Sequence, residues 1–446
     1  MSRSKNTVSI SKGIDGVLVG LYLLLVSIGI VAIFAVTYRE GDPILASFLS
    51  FGPDYSKQFY FFIVSGLIGV FILLTDSKFF PATANVWYAV GIFLLLLVFP
   101  FHTDVHGTKS IIRMGGIQFQ PAEFCKVCVC LALAKYLSRP DTDFTKTRSQ
   151  LIAAAIALTP AILTILQSET GLALVYFSFF LVMYREGLPP MILVVGFSLG
   201  TLIVATIVIE PNVLAITLTV IAGLAAYLMR RQIKKRKSLL ITIVLMWFVC
   251  VGIQRFAVPF IFKEVMQGYQ VDRIYSLFGK DNPYSDHPVA LDAASLKKKD
   301  AQDYNVKQSK IAIGSGGVTG KGLLSGTQTR YDFVPEQRTD FIFCTIGEGF
   351  GFLGTVTLLG IFLFLLFRIV MVAERQRSVF SRCYAYGVAA VFFFHITINV
   401  CMTIGLAPVI GIPLPFISYG GTALLTFTIL LFILIRLDAD RQMILR

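Results

Sequence analysis

Apolar stretches of roughly 17–25 residues recur along this chain, and nothing else in it constrains the fold as tightly. About 20 such residues are needed for a helix to cross some 30 Å of hydrocarbon. Backbone inside that layer must satisfy its own hydrogen bonds, which leaves helices or a closed barrel, and runs of this length select helices. They lie near 13–38, 58–76, 83–101, 120–138, 149–167, 169–184, 188–209, 212–229, 239–258, 341–367, 383–404 and 420–436. The predicted fold is therefore all-α, a polytopic bundle of about twelve transmembrane helices. Only 15% of the residues are charged, against about 25% in a soluble domain. The first run is too long for a signal-peptide core and has no small-x-small cleavage site, so it is expected to remain as a span.

Charge placement sets the expected orientation. With the N-terminus inside, the cytoplasmic segments hold 22 Lys and Arg, and the short external connectors hold only Arg39, Lys57, Lys109 and Arg113. That bias places both termini in the cytoplasm, with the tract Arg230 to Lys237 as its sharpest marker. The net charge of +13 is thereby explained as topogenic, and a nucleic-acid partner is not expected. Cys125, Cys128 and Cys130 have no histidine at ligand spacing and read as small buried residues.

Several polar residues need their own explanation. Glu123 and Lys126 are three apart within a span and share a helix face. An ionised group at that depth costs about 2.5–3.5 kcal/mol on insertion scales. The two are expected either to pair and pin helices together or to floor a polar cavity. Glu169 and Glu348 are further carboxylates beside glycines. The stretch from Tyr304 to Phe343 is neither span nor simple connector, and holds Gly314, Gly316, Gly317, Gly320 and Gly322. It is no phosphate loop, because Ser315 and Gly322 stand where Gly and Ser or Thr are required. Its glycines are expected to let backbone approach a bulky or anionic substrate. Segment 405–421, with Pro408, Pro413 and Pro415 among Gly405, Gly411, Gly420 and Gly421, reads as re-entrant backbone buried in protein or lining a cavity. The expected division is a membrane bundle over 1–258, a large external loop over 259–339 carrying the chemistry, and a second bundle over 340–446.

Five elements in order, GGIQFQPAEFCK (115–126), QSETG (167–171), QSKIAIGSGGVTGKGLLSGTQ (308–328), VPEQRTDFIF (334–343) and GLAPVIGIPLPFISYGG (405–421), resemble those of the SEDS family. These are integral-membrane peptidoglycan glycosyltransferases, and the GKG and GTQ forms resemble the elongation branch more than the division branch. There are departures. Ser110-Ile111 replaces the family's Arg-Trp, Glu169 replaces an Asp, and Gly349 replaces a second Glu. The family commonly has ten spans, so the surplus is assigned to an extra hairpin near 212–258.

The resemblance implies lipid II as substrate, a disaccharide-pentapeptide joined through pyrophosphate to a polyprenyl chain. It implies inverting displacement of the polyprenyl diphosphate, with an Asp of the external loop as general base. Asp281 is the preferred base, Asp286 the alternative and Asp292 a weaker one. Lys126 and Arg338 are the expected diphosphate or cavity contacts, and Glu123, Gly316, Lys321, Glu336 and Ser418 complete the expected substrate-binding set. No cofactor is evident and no metal ligand cluster is seen, although the diphosphate would accept a divalent cation. Implied partners are a class B penicillin-binding protein transpeptidase and other membrane proteins of the elongation complex, in the bacterial inner membrane. A flippase for the same lipid-linked precursor, or a non-catalytic cell-wall scaffold, is the competing expectation.

Overall fold

The computed structural model describes residues 13–39, 41, 43–105, 108–114, 117–167, 169–265, 271, 275, 283, 293–407 and 409–441. Each of the twelve predicted spans is helical. In chain order the helices are α1 (Gly16–Thr37), α2 (Ile44–Leu49), α3 (Asp54–Leu74), α4 (Phe79–Phe101), α5 (Pro121–Leu137) and α6 (Thr147–Leu166), then α7 (Thr170–Tyr176) and α8 (Phe179–Arg185). They continue with α9 (Pro190–Val208), α10 (Pro211–Leu228), α11 (Arg230–Lys235) and α12 (Ser238–Glu264). The last five are α13 (Ala293–Ser315), α14 (Thr327–Arg330), α15 (Ile342–Glu374), α16 (Val379–Thr403) and α17 (Gly421–Ala439). Among the described residues, ten helices are long and apolar enough to cross a membrane. The other two predicted spans are α5, of 17 residues, and the α7–α8 pair, which is broken between Tyr176 and Phe179.

The α5 helix carries Glu123 and Lys126 and faces protein on nearly every side. Of its residues only Phe124 and Lys135 escape full burial. Its small side chains permit this packing. Gly91 of α4 sits against Cys125 and Cys128, and Gly387 of α16 sits so close to Cys130 that a methyl there would stand 2.4 Å from its sulfur. The cysteines are packing residues. With α16 and α17, themselves largely buried, α5 forms the centre of the first compact unit, Met1–Pro189 with Asn305–Arg446.

The second unit, Pro190–Tyr304, contains the helices expected to form the extra hairpin. Its α10 and α12 are joined by the basic turn through α11, and Trp247 Nε1 donates to Thr219 Oγ1 (3.0 Å) across the pair. Most of the apolar side chains on α9, α10 and α12 are exposed on the protein surface, as helices facing hydrocarbon require. One small element departs from the all-α expectation. Strands β1 (Thr103–Val105), β2 (Thr108–Met114) and β3 (Ile117–Phe119) form an antiparallel meander leading into α5.

At one end of the first unit, charges tie three helices together. Asp15 caps α1 through Val17 N (3.1 Å) and Leu18 N (3.2 Å), and also accepts from Arg368 (2.7 Å) and Arg375 (2.7 Å) of the α15 end. Arg375 continues to Asp438 at the end of α17, which also accepts from Gln376 (2.8 Å) and Arg441 (2.8 Å). The Asp438 carboxylate is fully enclosed, and its removal leaves Arg375 only Asp15 and Gln376 only the Val372 carbonyl as acceptors. Asp438→Ala is expected to destabilise the protein by about 3 kcal/mol, the low end of the cost of breaking a buried pair. Detergent thermal unfolding followed by size exclusion reads this, and an unchanged melting temperature would contradict it.

Candidate active site

Four groups of polar side chains gather around the 314–341 and 405–420 segments of the first unit. The first is the glycine-rich segment. A Cβ on Gly316 would stand 2.0 Å from the Gly347 carbonyl, and Gly320 (φ +82°) packs as tightly on Gly349. The backbone is stitched to the start of α15 by Lys321 N to Glu348 O (3.0 Å), Gly322 N to Gly349 O (2.9 Å) and Phe352 N to Gly317 O (2.9 Å). Glu348 completes the clasp by accepting from Lys321 Nζ (2.9 Å), Gln328 N (2.9 Å), Thr329 N (2.8 Å) and Thr329 Oγ1 (2.9 Å). These glycines therefore allow backbone to meet backbone of α15. Gly316 and Lys321, two of the expected substrate contacts, hold the segment in place.

The second group is a cleft of about 230 Å³ lined by Val36, Thr37, Arg39, Gly52, Pro53, Asp54, Asp332 and Arg338. Arg39 pairs with Asp332 (2.6 Å) and Arg338 with Asp54 (2.5 Å), and both arginines remain about half exposed. An anion entering the cleft meets two guanidinium groups whose carboxylate partners can be exchanged for it.

The third group is carboxylic. Asp340 lies at the mouth of α15 with its Oδ2 against Gly411, and its carboxyl is pushed up to about 7 by burial and then by the charges of Glu336 and Glu169. Glu169 accepts from Ser110 Oγ (3.2 Å) and Gln120 Nε2 (3.1 Å). Glu336 accepts from Thr339 Oγ1 (3.0 Å), and its carbonyl takes Phe341 N. The folded state thus holds the Asp340 proton more tightly than the unfolded chain does. The stability this confers is complete below about pH 4 and is lost as pH rises through 7. Asp340→Asn removes the loss. It is expected to match the parent at about pH 4 and below and to be more stable at pH 8, by up to about 4 kcal/mol. Thermal unfolding at both pH values checks this, and equal stabilities at pH 8 would contradict it.

The fourth group is the buried pair. Lys126 Nζ donates to Glu123 Oε2 (2.6 Å) and to His395 Nε2 (2.7 Å), beneath the Phe427 ring at 5.1 Å. Neither member of the pair exposes more than 1% of its surface. Both expected roles were open in the sequence, and the structure realises the ion pair.

The 405–420 segment joins these groups. It is irregular and largely buried, as its prolines predict. Ser418 Oγ accepts from Leu414 N (2.8 Å) and donates to Thr339 O (2.5 Å), while Tyr419 N donates to Arg338 O (2.9 Å). Gln58 of α3 holds Ser418 O (3.3 Å) and Gly420 N (3.2 Å). Ser418 therefore fixes the backbone beside Arg338. The expected bases Asp281 and Asp286, with Asp292, lie outside the described residues. Among the described residues no group of three or more His, Cys, Asp or Glu is arranged to hold a metal ion. Sequence reasoning gave no role to Asp340 or to His395. An ionisable residue alone in an apolar run, as His395 is, was a usable signal.

Comparison with known proteins gives consistent results. The family model of the FtsW, RodA and SpoVE cell cycle proteins matches residues 16–240 and 197–443. The chain is 30% identical over 450 residues to the peptidoglycan glycosyltransferase RodA of Treponema pallidum (strain Nichols), covering 95% of this chain and 97% of that one. It is 29% identical over 382 residues to the peptidoglycan glycosyltransferase MrdB of Escherichia coli (strain K12), covering 84% of each. A solved chain from a peptidoglycan synthase complex superposes with a TM-score of 0.63 at 22% identity, covering 96% of this chain and 98% of its own. The crystal structure of rod shape determining protein RodA from Thermus thermophilus gives 0.59 at 21% identity, covering 96% and 97%. At these identities the two structures show a shared fold.

Proposed function

Because the chain belongs to the FtsW, RodA and SpoVE family of cell cycle proteins, we propose that it is a peptidoglycan glycosyltransferase of the elongation type, joining lipid II into glycan strands. The main support is a match that runs almost from end to end, over residues 16 to 443. The site chemistry fits a sugar transfer. A one-step inversion needs a base at the attacking hydroxyl and cationic groups at the departing diphosphate. Arg338 and Arg39 in the 230 Å³ cleft are suited to the diphosphate. Asp281 is the assigned base and Asp286 the alternative. The Glu123–Lys126 pair, Glu336, Gly316, Lys321 and Ser418 shape and support the site.

The reaction forms a glycosidic bond between the attacking sugar oxygen and the anomeric carbon. It breaks the bond from that carbon to the diphosphate, and the hydroxyl proton passes to the Asp. A divalent cation could assist at the diphosphate, with cleft carboxylates such as Asp54 nearby. The proposed partner is a class B penicillin-binding protein transpeptidase, in keeping with the shared fold of the synthase-complex chain. Other membrane proteins of the elongation complex would join them in the bacterial inner membrane.

Incubating the purified protein with lipid II distinguishes this reading from a flippase. Transfer releases free polyprenyl diphosphate, whereas transport leaves the lipid intact, so intact lipid after incubation would overturn the reading. The proposed orientation has both termini in the cytoplasm and residues 259–339 outside. Lys235→Cys is expected to be labelled only from the cytoplasmic side and Ser295→Cys only from outside, and labelling of both from outside would contradict it.

A further inference from the structure

The buried pair does not end at Glu123. An ammonium has three N–H groups and no acceptor. One from Lys126 reaches Glu123 Oε2 at 2.6 Å and another reaches His395 Nε2 on α16 at 2.7 Å, while the Phe427 ring of α17 lies 5.1 Å away. On the other side of the imidazole, Nδ1 is 3.2 Å from the Pro413 carbonyl. A carbonyl only accepts, so Nδ1 carries a proton. An ammonium only donates, so Nε2 presents a lone pair. His395 is thus held as one neutral tautomer by a partner at each nitrogen. It is fully buried.

The same face of α16 continues this arrangement one turn on. Asn399 Nδ2 donates to Ile412 O (2.7 Å) and to Asp340 O (2.8 Å). Two side chains four apart therefore hold the adjacent carbonyls of Ile412 and Pro413, and the second also holds the backbone of Asp340. From there the segment reaches Thr339 and Arg338 through Ser418 and Tyr419. An unbroken chain of hydrogen bonds runs from the buried ion pair to the backbone of the cleft.

We propose that His395 is a positioning residue, which accepts from Lys126 and donates to Pro413 and so sets the 405–420 segment, with the backbone at Arg338–Asp340, in register with the buried pair. Its effect on activity rests on the glycosyltransferase reading, and its tautomer does not. The chain has four histidines, so ¹⁵N-histidine labelling of the full-length protein gives few signals, and His395→Gln identifies the one lost. The expected signal is a neutral ring protonated at Nδ1. A ring protonated at Nε2, or at both nitrogens, overturns the proposal.

The activity arm separates the two bonds. His395→Gln places an amide where Nε2 stood and keeps an acceptor for Lys126. His395→Asn places one where Nδ1 stood and keeps a donor for Pro413. His395→Leu keeps neither. The kcat for polymerisation is expected to fall about 100-fold in His395→Leu, as for misplacement of a site by about an ångström, and about 10-fold in each amide variant, with KM for lipid II unchanged. Parental kcat in His395→Leu, or Gln and Asn variants no better than a folded Leu variant, would overturn it. If His395→Leu does not fold, the amide variants against the parent and the tautomer decide. A parent protein without polymerase activity would fail the glycosyltransferase reading and leave the tautomer to decide this one.

Discussion

Asp281→Asn is expected to lower lipid II polymerisation by at least about 100-fold, the lower end of what a positioned base contributes. The substitution keeps the size of the side chain and removes its capacity to take the proton from the attacking hydroxyl. Binding of lipid II should survive. Asn still hydrogen-bonds, and loss of a negative charge cannot weaken attraction for a diphosphate. Asp286→Asn in the same detergent preparation serves as the comparison. Near-normal polymerisation by Asp281→Asn with loss in Asp286→Asn would move the base five residues along. Normal activity in both would remove this loop from the chemistry.

The second large effect concerns Glu123 and Lys126. The pair is sealed from solvent, and Glu123 Oε1 has no hydrogen-bond partner among the described residues, so the carboxylate leans on Lys126 alone. Removing either partner leaves an uncompensated buried charge, at a cost of about 3–5 kcal/mol. Glu123→Gln and Lys126→Met are each expected to reduce folded yield and thermal stability severely. The double variant should recover much of the loss, because both charges are then gone. A double-mutant cycle on unfolding in detergent measures the coupling. Strictly additive losses would contradict the pairing.

Membrane architecture was legible in the sequence because hydrocarbon admits so few solutions. All twelve apolar runs are helices, and the proline and glycine content of 405–421 marked the irregular backbone correctly. The sequence did not reveal which runs face lipid. The α5 helix and α17 are buried because of what packs around them, as where Gly387 meets Cys130, and periodicity does not encode that. The glycine-rich segment was legible as a place of close backbone approach, but its partner, α15 at Gly347 and Gly349, comes from far along the chain. His395 shows the same limit. Its two ligands lie 269 and 18 positions away in sequence, and only folding brings them to one ring. Asp340 received no role from the sequence, because its raised carboxyl comes from burial and then from the charges of Glu336 and Glu169, the latter far upstream.

The measurement closest to the central claim is glycan polymerisation from purified lipid II by the purified protein, with no other glycosyltransferase present. The account predicts strands that resolve as a ladder on gels, with inverted configuration at the anomeric carbon and loss of the ladder in Asp281→Asn. A properly folded preparation that binds lipid II, leaves it unpolymerised and moves it across a vesicle bilayer would contradict it.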